Sequence, residues 1–359
     1  MQGVRSMWSN NKLTEQIKIQ YPIIQAGMAG GVTTPELVAA VSNAGGLGNV
    51  GAGYMTAKDM RQTIHAIHRL TDKPFGVNVF VPEHPETTQD HIDQTNELLA
   101  PIRKDLGITP TCVENAVSLK LFEEQIDVLL EENVPVVSFT FGIPPEPVIQ
   151  KLKAANKTLI GTATTVKEAV MNEENGMDMV VVQGSEAGGH RGTFAVPFEK
   201  GMIGTMALVP QVADHVGIPV IAAGGIMDAR GVRASFALGA QSVQMGTAFV
   251  TSTESGAKEQ HKEAILNSTE DQPVVTSAFS GKPARGVENK FIVDMKQHEG
   301  DLPGYPLQNT LTKDIRKAAA EQNKPQYMSL WSGQNTRLSR NINAEEIIKH
   351  IVKEINEHA

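Results

Sequence analysis

Eight short apolar runs, rich in β-branched residues, recur along this chain, nearly all of them separated by helical segments. The runs are Tyr21–Ala26, Leu47–Val50, Phe75–Val81, Val134–Phe141, Thr158–Thr162, Met179–Gln183, Pro219–Ala223 and Ala240–Met245. Runs this short and this continuously apolar suit strands buried on both faces. Strict alternation with helices predicts a parallel sheet. Eight repeats predict an α/β fold of the closed (β/α)8 TIM-barrel type, with a smaller cap or insertion domain, rather than an open doubly wound sheet.

Helix signals fall between the runs. Thr34 is placed to cap a helix over Thr33–Gly45, with Pro35 at its first position. Ala57–Leu70 carries Met60, Ile64 and Ile67 on one face. Thr165 and Glu168 have capping-box spacing, and Asp228 opens the helix that ends at Gly239. A helix is predicted over Val209–Val216, stopped by Gly217. Glu83–Asn133 is longer than one crossover needs and reads as a helix plus an insertion. After Thr253 the alternation stops. The expected division is a barrel over 7–253, a smaller cap over 254–325, and a C-terminal segment, 326–359, returning to the barrel.

Composition excludes several classes. A net charge of −8 leaves no basic stripe for nucleic acid. The single cysteine, Cys112, excludes an intrachain disulfide and a cysteine zinc cluster, and no metal site is expected. No apolar run approaches the ~20 residues of a membrane span, and the first twenty residues lack a signal-peptide core. The expectation is a soluble, cytoplasmic protein.

In a barrel, ligand-contacting residues come from the C-terminal ends of the strands. Strand one offers Gly27 and Met28, strand three Asn78, and strand six Gln183 with the loop Gly184–Gly192, which includes Gly188, Gly189 and His190. Strand seven offers Gly224 and Gly225; strand eight offers Gln244, Gly246 and Thr247. Glycine loops after the last two strands suit a phosphate, which free backbone N–H groups can hold. The alternative is that these glycines only make tight turns. The amides of Asn78 and Gln183 both donate and accept, which suits a heteroaromatic ring; the alternative is that they satisfy loop backbone. His190 is the histidine placed to move a proton near neutral pH.

Together these segments resemble the nitronate monooxygenases. The similar stretches are Pro22–Gly31, Gly46–Gly48, Gly76–Phe80, Gln183–Gly192, Ala222–Ile226 and Gln244–Thr247, with Pro283–Gly286 and Trp331–Gln334 further on. The resemblance implies that FMN is held by Asn78, Gln183, Gly188, Gly225 and the run Gln244, Met245, Gly246 and Thr247. It implies that His190 stands beside the flavin and the substrate. It implies a nitronate substrate, plausibly propionate 3-nitronate, oxidised with O2 to a carbonyl compound and nitrite, in a detoxifying role. A carboxylate on the substrate needs a cation, for which Arg191, Lys200, Arg285 and Lys290 are the candidates. The same Gly-Gly-His loop occurs in FMN-dependent enoyl-ACP reductases that use NAD(P)H, so that activity, or NADH:quinone reduction, is the alternative. A homo-oligomer is compatible with the sequence.

Overall fold

The structure, a computed structural model, describes residues 7–83, 88–110 and 118–357. Cys112 lies outside the described residues. Eleven strands occur in it: β1 (Ile23–Gln25), β2 (Gly48–Gly51), β3 (Phe75–Phe80), β4 (Val136–Thr140), β5 (Thr158–Ala163), β6 (Met179–Gln183), β7 (Gly189–His190), β8 (Val220–Ala223), β9 (Ser242–Met245), β10 (Pro273–Thr276) and β11 (Ala284–Val287). Eight of them form one parallel sheet in the order β1-β9-β8-β6-β5-β4-β3-β2. A parallel bridge between Ile24 and Leu47 joins the two ends, so the sheet closes into the predicted barrel.

Five of the eight predicted strands are found one to three residues shorter, β6 matches, β5 runs one residue longer and β2 is shifted by one. Val134 and Pro135 precede β4, and Pro219 precedes β8; proline has no N–H to give the ladder. Phe141 leaves β4 with φ 76°. The helix predicted over Val209–Val216 instead spans Thr205–Ala213. Its first N–H group, that of Thr205, is taken by the carboxylate of Glu186 at 2.9 Å. A cap supplied from 19 residues away leaves no local signature in the sequence.

Thr165 caps its helix as predicted, accepting from Glu168 N at 3.2 Å. The reciprocal half of the box is absent. The buried Glu168 carboxylate accepts instead from Thr164 N and Oγ1, and from Phe194 N and Ala195 N, at 2.7–2.9 Å. It thereby ties the loop after β7 to the end of β5.

Hydrophobic burial is layered. Ile24, Val136, Ile160, Val181 and Ile221 fill the barrel interior, and Leu13 and Ile17 of the helix Lys12–Ile17 pack into that same cluster. A second layer lies between strands and helices, where Ile23, Val180, Val182 and Val243 face outward. The C-terminal helix Ala344–Glu357 adds Ile347, Ile348, Ile351 and Ile355 to it. A third cluster forms the cap. It joins Phe279, Phe291, Leu311 and Ile315 to Leu99, Ile102 and Leu106 of the helix Gln89–Leu106. The insertion after β3 therefore packs into the roof, where a buried ion pair of 2.8 Å, Arg103 to Asp314, fixes it.

β10, β11 and β7 form a separate antiparallel sheet. His190 is opposite Ala284 and Gly189 opposite Arg285. The stretch expected to be a loop is thus the outer strand of the cap's own sheet.

Candidate functional site

A cavity of ≈ 540 Å³ opens at the C-terminal ends of the barrel strands, beneath the cap. That volume suits a cofactor-sized ligand with room beside it. Gly27, Met28, Asn78, Gln183, Gly188, Gly189, His190, Gly224, Gly225, Gln244, Gly246 and Thr247 all line it. Met245 does not. Successive residues of a strand face opposite ways, so while Gln244 faces the cavity Met245 is buried in the layer between strands and helices.

The end of β8 turns sharply. Gly224 and Gly225 have φ of 119° and 68°, a region that glycine alone enters without strain. Their carbonyls are held from outside, Gly224 O by Thr205 Oγ1 at 3.1 Å and Gly225 O by Asn335 Nδ2 at 3.0 Å. After β9, Thr247 Oγ1 accepts from Gly333 N at 2.9 Å, which leaves its own proton free to donate. Gly188 lies against the same segment: a Cβ there would stand 2.5 Å from Gly333 N and Ser332 C. The Trp331–Gln334 stretch thus clamps the loops after β6 and β9 together.

The two amides differ. Asn78 Nδ2 donates to Ser138 Oγ at 3.0 Å and Thr140 Oγ1 at 3.1 Å. Gln183 is used by its own loop, donating from Nε2 to His190 O at 3.1 Å and accepting from Gly192 N at 2.9 Å. Its role is first to shape the Gly-Gly-His segment.

His190 sits in an aromatic enclosure. The ring centroids of Trp331, Phe141 and Tyr305 lie 5.5, 5.8 and 5.8 Å away. Nε2 is 2.9 Å from Ser280 Oγ, which itself donates to Lys282 O at 3.0 Å. With its proton committed there, Ser280 accepts from Nε2–H, and the imidazole lone pair is on Nδ1. Desolvation, reinforced by the Lys282 and Arg316 charges, pushes the imidazole down to about 3. His190 is therefore neutral at physiological pH in the ligand-free protein. In the unfolded chain it titrates near ~6.5. Between about 6.5 and about 3 the unfolded state binds more protons, so stability falls as pH falls through that window. A His190→Asn variant is expected to lose less Tm than the parent between pH 7.5 and 4.5. Equal losses in calorimetry would show that the imidazole is not held neutral.

Arg191, next in sequence, is the largest fully buried side chain. Its guanidinium donates to Gly184 O at 2.6 Å, Gln183 O at 2.9 Å and Gly201 O at 3.0 Å, while Nε has no partner among the described residues. Burial, with the Arg285 charge beyond it, pushes it down to about 10, still charged at neutral pH. Arg285 is likewise committed, to Ser185 O and Pro273 O. Lys290 pairs with Asp294 and Lys200 is exposed. None of these four lines the cavity; the cations that do are Lys258, Lys313, Arg316 and Lys317. The cavity cations come instead from two cap helices. The aromatic enclosure and Ser280 also went unpredicted. The rarity of the aromatics was the available signal, since two of only four tyrosines, Tyr54 and Tyr305, are here.

The nitronate monooxygenase family model matches residues 10–354. A probable nitronate monooxygenase of Staphylococcus haemolyticus is 52% identical over 351 residues, covering 97% of this chain and 98% of that relative. One from Staphylococcus aureus strain Newman is 53% identical over 357 residues, covering 98% and 99%. Among solved structures, a nitroalkane oxidase from Streptomyces ansochromogenes superposes with TM-score 0.88 at 39% identity, covering 97% and 98% of the two chains. FabK from Thermotoga maritima superposes with TM-score 0.77 at 34% identity, covering 97% of each.

Proposed function

Since the chain belongs to the nitronate monooxygenase family and is an oxidoreductase, we propose that it binds FMN and oxidises alkyl nitronates with O2, giving a carbonyl compound and nitrite. The observation that carries this reading is a single cavity combining phosphate-type turns with a neutral histidine. The donors fit FMN. The Gly224-Gly225 turn and the Thr247 hydroxyl suit its phosphate, and the Asn78 and Gln244 amides suit a ring that both donates and accepts. When bound, the flavin supplies the one-electron chemistry that side chains lack.

The chain's own residues then have distinct tasks. Ser280 fixes the His190 ring and its tautomer. Nδ1 accepts a proton from the carbon of a neutral nitroalkane, or none when the substrate arrives as the nitronate. Phe141, Tyr305 and Trp331 keep water from that position. Propionate 3-nitronate is the proposed natural substrate, and detoxification the role.

The likeness to FabK favours a second reading, NAD(P)H-dependent reduction of an enoyl thioester. One experiment separates the two. The purified protein is expected to show a flavin spectrum, and its flavin to be reduced anaerobically by propionate 3-nitronate but not by NADH. Oxygen uptake with the nitronate alone supports the first reading; rapid anaerobic bleaching by NADH sinks it.

A further inference from the structure

The helix Lys313–Glu321 presents one face to the cavity. Lys313, Arg316, Lys317 and Ala320 all line it, at the i, i+3, i+4 and i+7 spacing of a single helical stripe. Three of the four are cations, on a protein of net charge −8. Lys258, at the start of another cap helix, lines the same cavity. A cationic wall inside an acidic protein concentrates anions there.

Arg316 is the half-buried cation of the stripe, and its geometry is only partly explained by the fold. Nη2 donates to Asn309 O at 2.6 Å and Asn309 Oδ1 at 2.8 Å, and Nε reaches Thr312 O at 3.4 Å. Among the described residues, no acceptor takes up Nη1 and no carboxylate pairs with the guanidinium. The nearby Asp314 is committed to Arg103. The anchoring by Asn309 fixes the fork in place and leaves one edge open to the cavity. Arg316 lines the same cavity as His190 and Tyr54. The phosphate-type turns belong to other elements, the ends of β8 and β9.

We infer that this wall is a second anion subsite, in which Arg316 grips a carboxylate on the tail of the substrate and makes the enzyme selective for nitronates that carry one. A planar guanidinium with a fixed fork matches a carboxylate. The inference rests on the nitronate reading for its substrate and on the geometry above for its residue.

The test uses the full-length, flavin-loaded protein. Wild type, Arg316→Gln and Arg316→Lys are compared on propionate 3-nitronate and on the uncharged-tail nitronate of 1-nitropropane. Arg316→Gln is expected to lower kcat/KM for the carboxylated substrate by about 10- to 100-fold, mainly through KM, since charge-assisted hydrogen bonds are of that size. Its effect on the uncharged tail is expected to stay within about 3-fold, and Arg316→Lys to recover part of the loss. Equal losses on both substrates, or none on either, overturn the inference. Binding of succinate, an unreactive dicarboxylate, is followed in parallel through the flavin spectrum. Wild type is expected to bind it, and Arg316→Gln to bind it at least ~10-fold more weakly. No succinate binding by wild type overturns the subsite. Normal, Arg316-dependent succinate binding with no turnover of either nitronate keeps the subsite and refutes the nitronate reading instead.

Discussion

Arg191→Ala is expected to lower Tm by roughly 5–10 °C, on the scale of about 1–2 °C per kcal/mol for a chain of this size, and to weaken flavin retention. The guanidinium serves three carbonyls, those of Gln183, Gly184 and Gly201. Alanine removes every donor at once and leaves acceptors in a site that is 1% exposed. Each stranded buried acceptor costs about 1–3 kcal/mol, and the emptied volume adds to that. Because Gln183 and Gly184 lead directly into the Gly-Gly-His strand, the damage falls at His190 and on the cavity wall proposed to meet the flavin. Lysine keeps the charge but has no planar fork, so Arg191→Lys is expected to recover only part of the loss. Calorimetry and the flavin-to-protein absorbance ratio read both effects. An Arg191→Ala protein with parental Tm and full flavin content would mean that the loop is held by its glycine and amide contacts alone.

His190→Asn gives the largest expected effect on turnover. Asparagine retains polarity at the position but has no lone pair basic enough to take a carbon-bound proton. With a neutral nitroalkane as substrate, kcat/KM is expected to fall by ~10²-fold or more, the usual weight of a positioned general base. With a preformed nitronate the loss is expected to be smaller. Beside a neutral nitroalkane the imidazole, pushed down to about 3, stays in its base form across the working pH range, whereas an anionic nitronate raises its affinity for a proton, so a pH dependence arising from His190 is expected with the nitronate rather than with the nitroalkane. Stopped-flow rates on matched nitroalkane and nitronate pairs decide it. Unchanged rates on both would remove His190 from the chemistry.

Barrel architecture was legible because each strand announces itself by local composition: β6 is Met-Val-Val-Val-Gln and β8 is Val-Ile-Ala-Ala. Glycine turns at the ends of β6, β8 and β9 were equally local, and so were the cavity residues they carry. What could not be read locally was supplied from a distance. Glu186 caps a helix that begins 19 residues later, and Ser280 orients a histidine 90 residues earlier. Three of the cavity cations lie on a cap helix whose sequence, Lys-Asp-Ile-Arg-Lys, looks like any solvated amphipathic segment. Only the packing of Ile315, Ala318 and Ala319 into the roof shows which side its charges face. The Gln183 amide marks the opposite limit: the residue lines the cavity, but its hydrogen bonds go to its own loop.

The sheet formed by β7, β10 and β11 has a consequence for how such a site can change. His190 belongs by chain position to the barrel and by hydrogen bonding to the roof. A roof exchanged between relatives therefore brings its own register for the histidine, and an ill-matched one would displace the reacting centre along with the walls. The face of Lys313–Glu321 is under no such constraint, since nothing in the β-ladder passes through it. Substrate range can drift by point changes on that helix while the histidine stays in place, which makes the helix the cheaper route to new specificities and the three-stranded sheet the part that resists recombination.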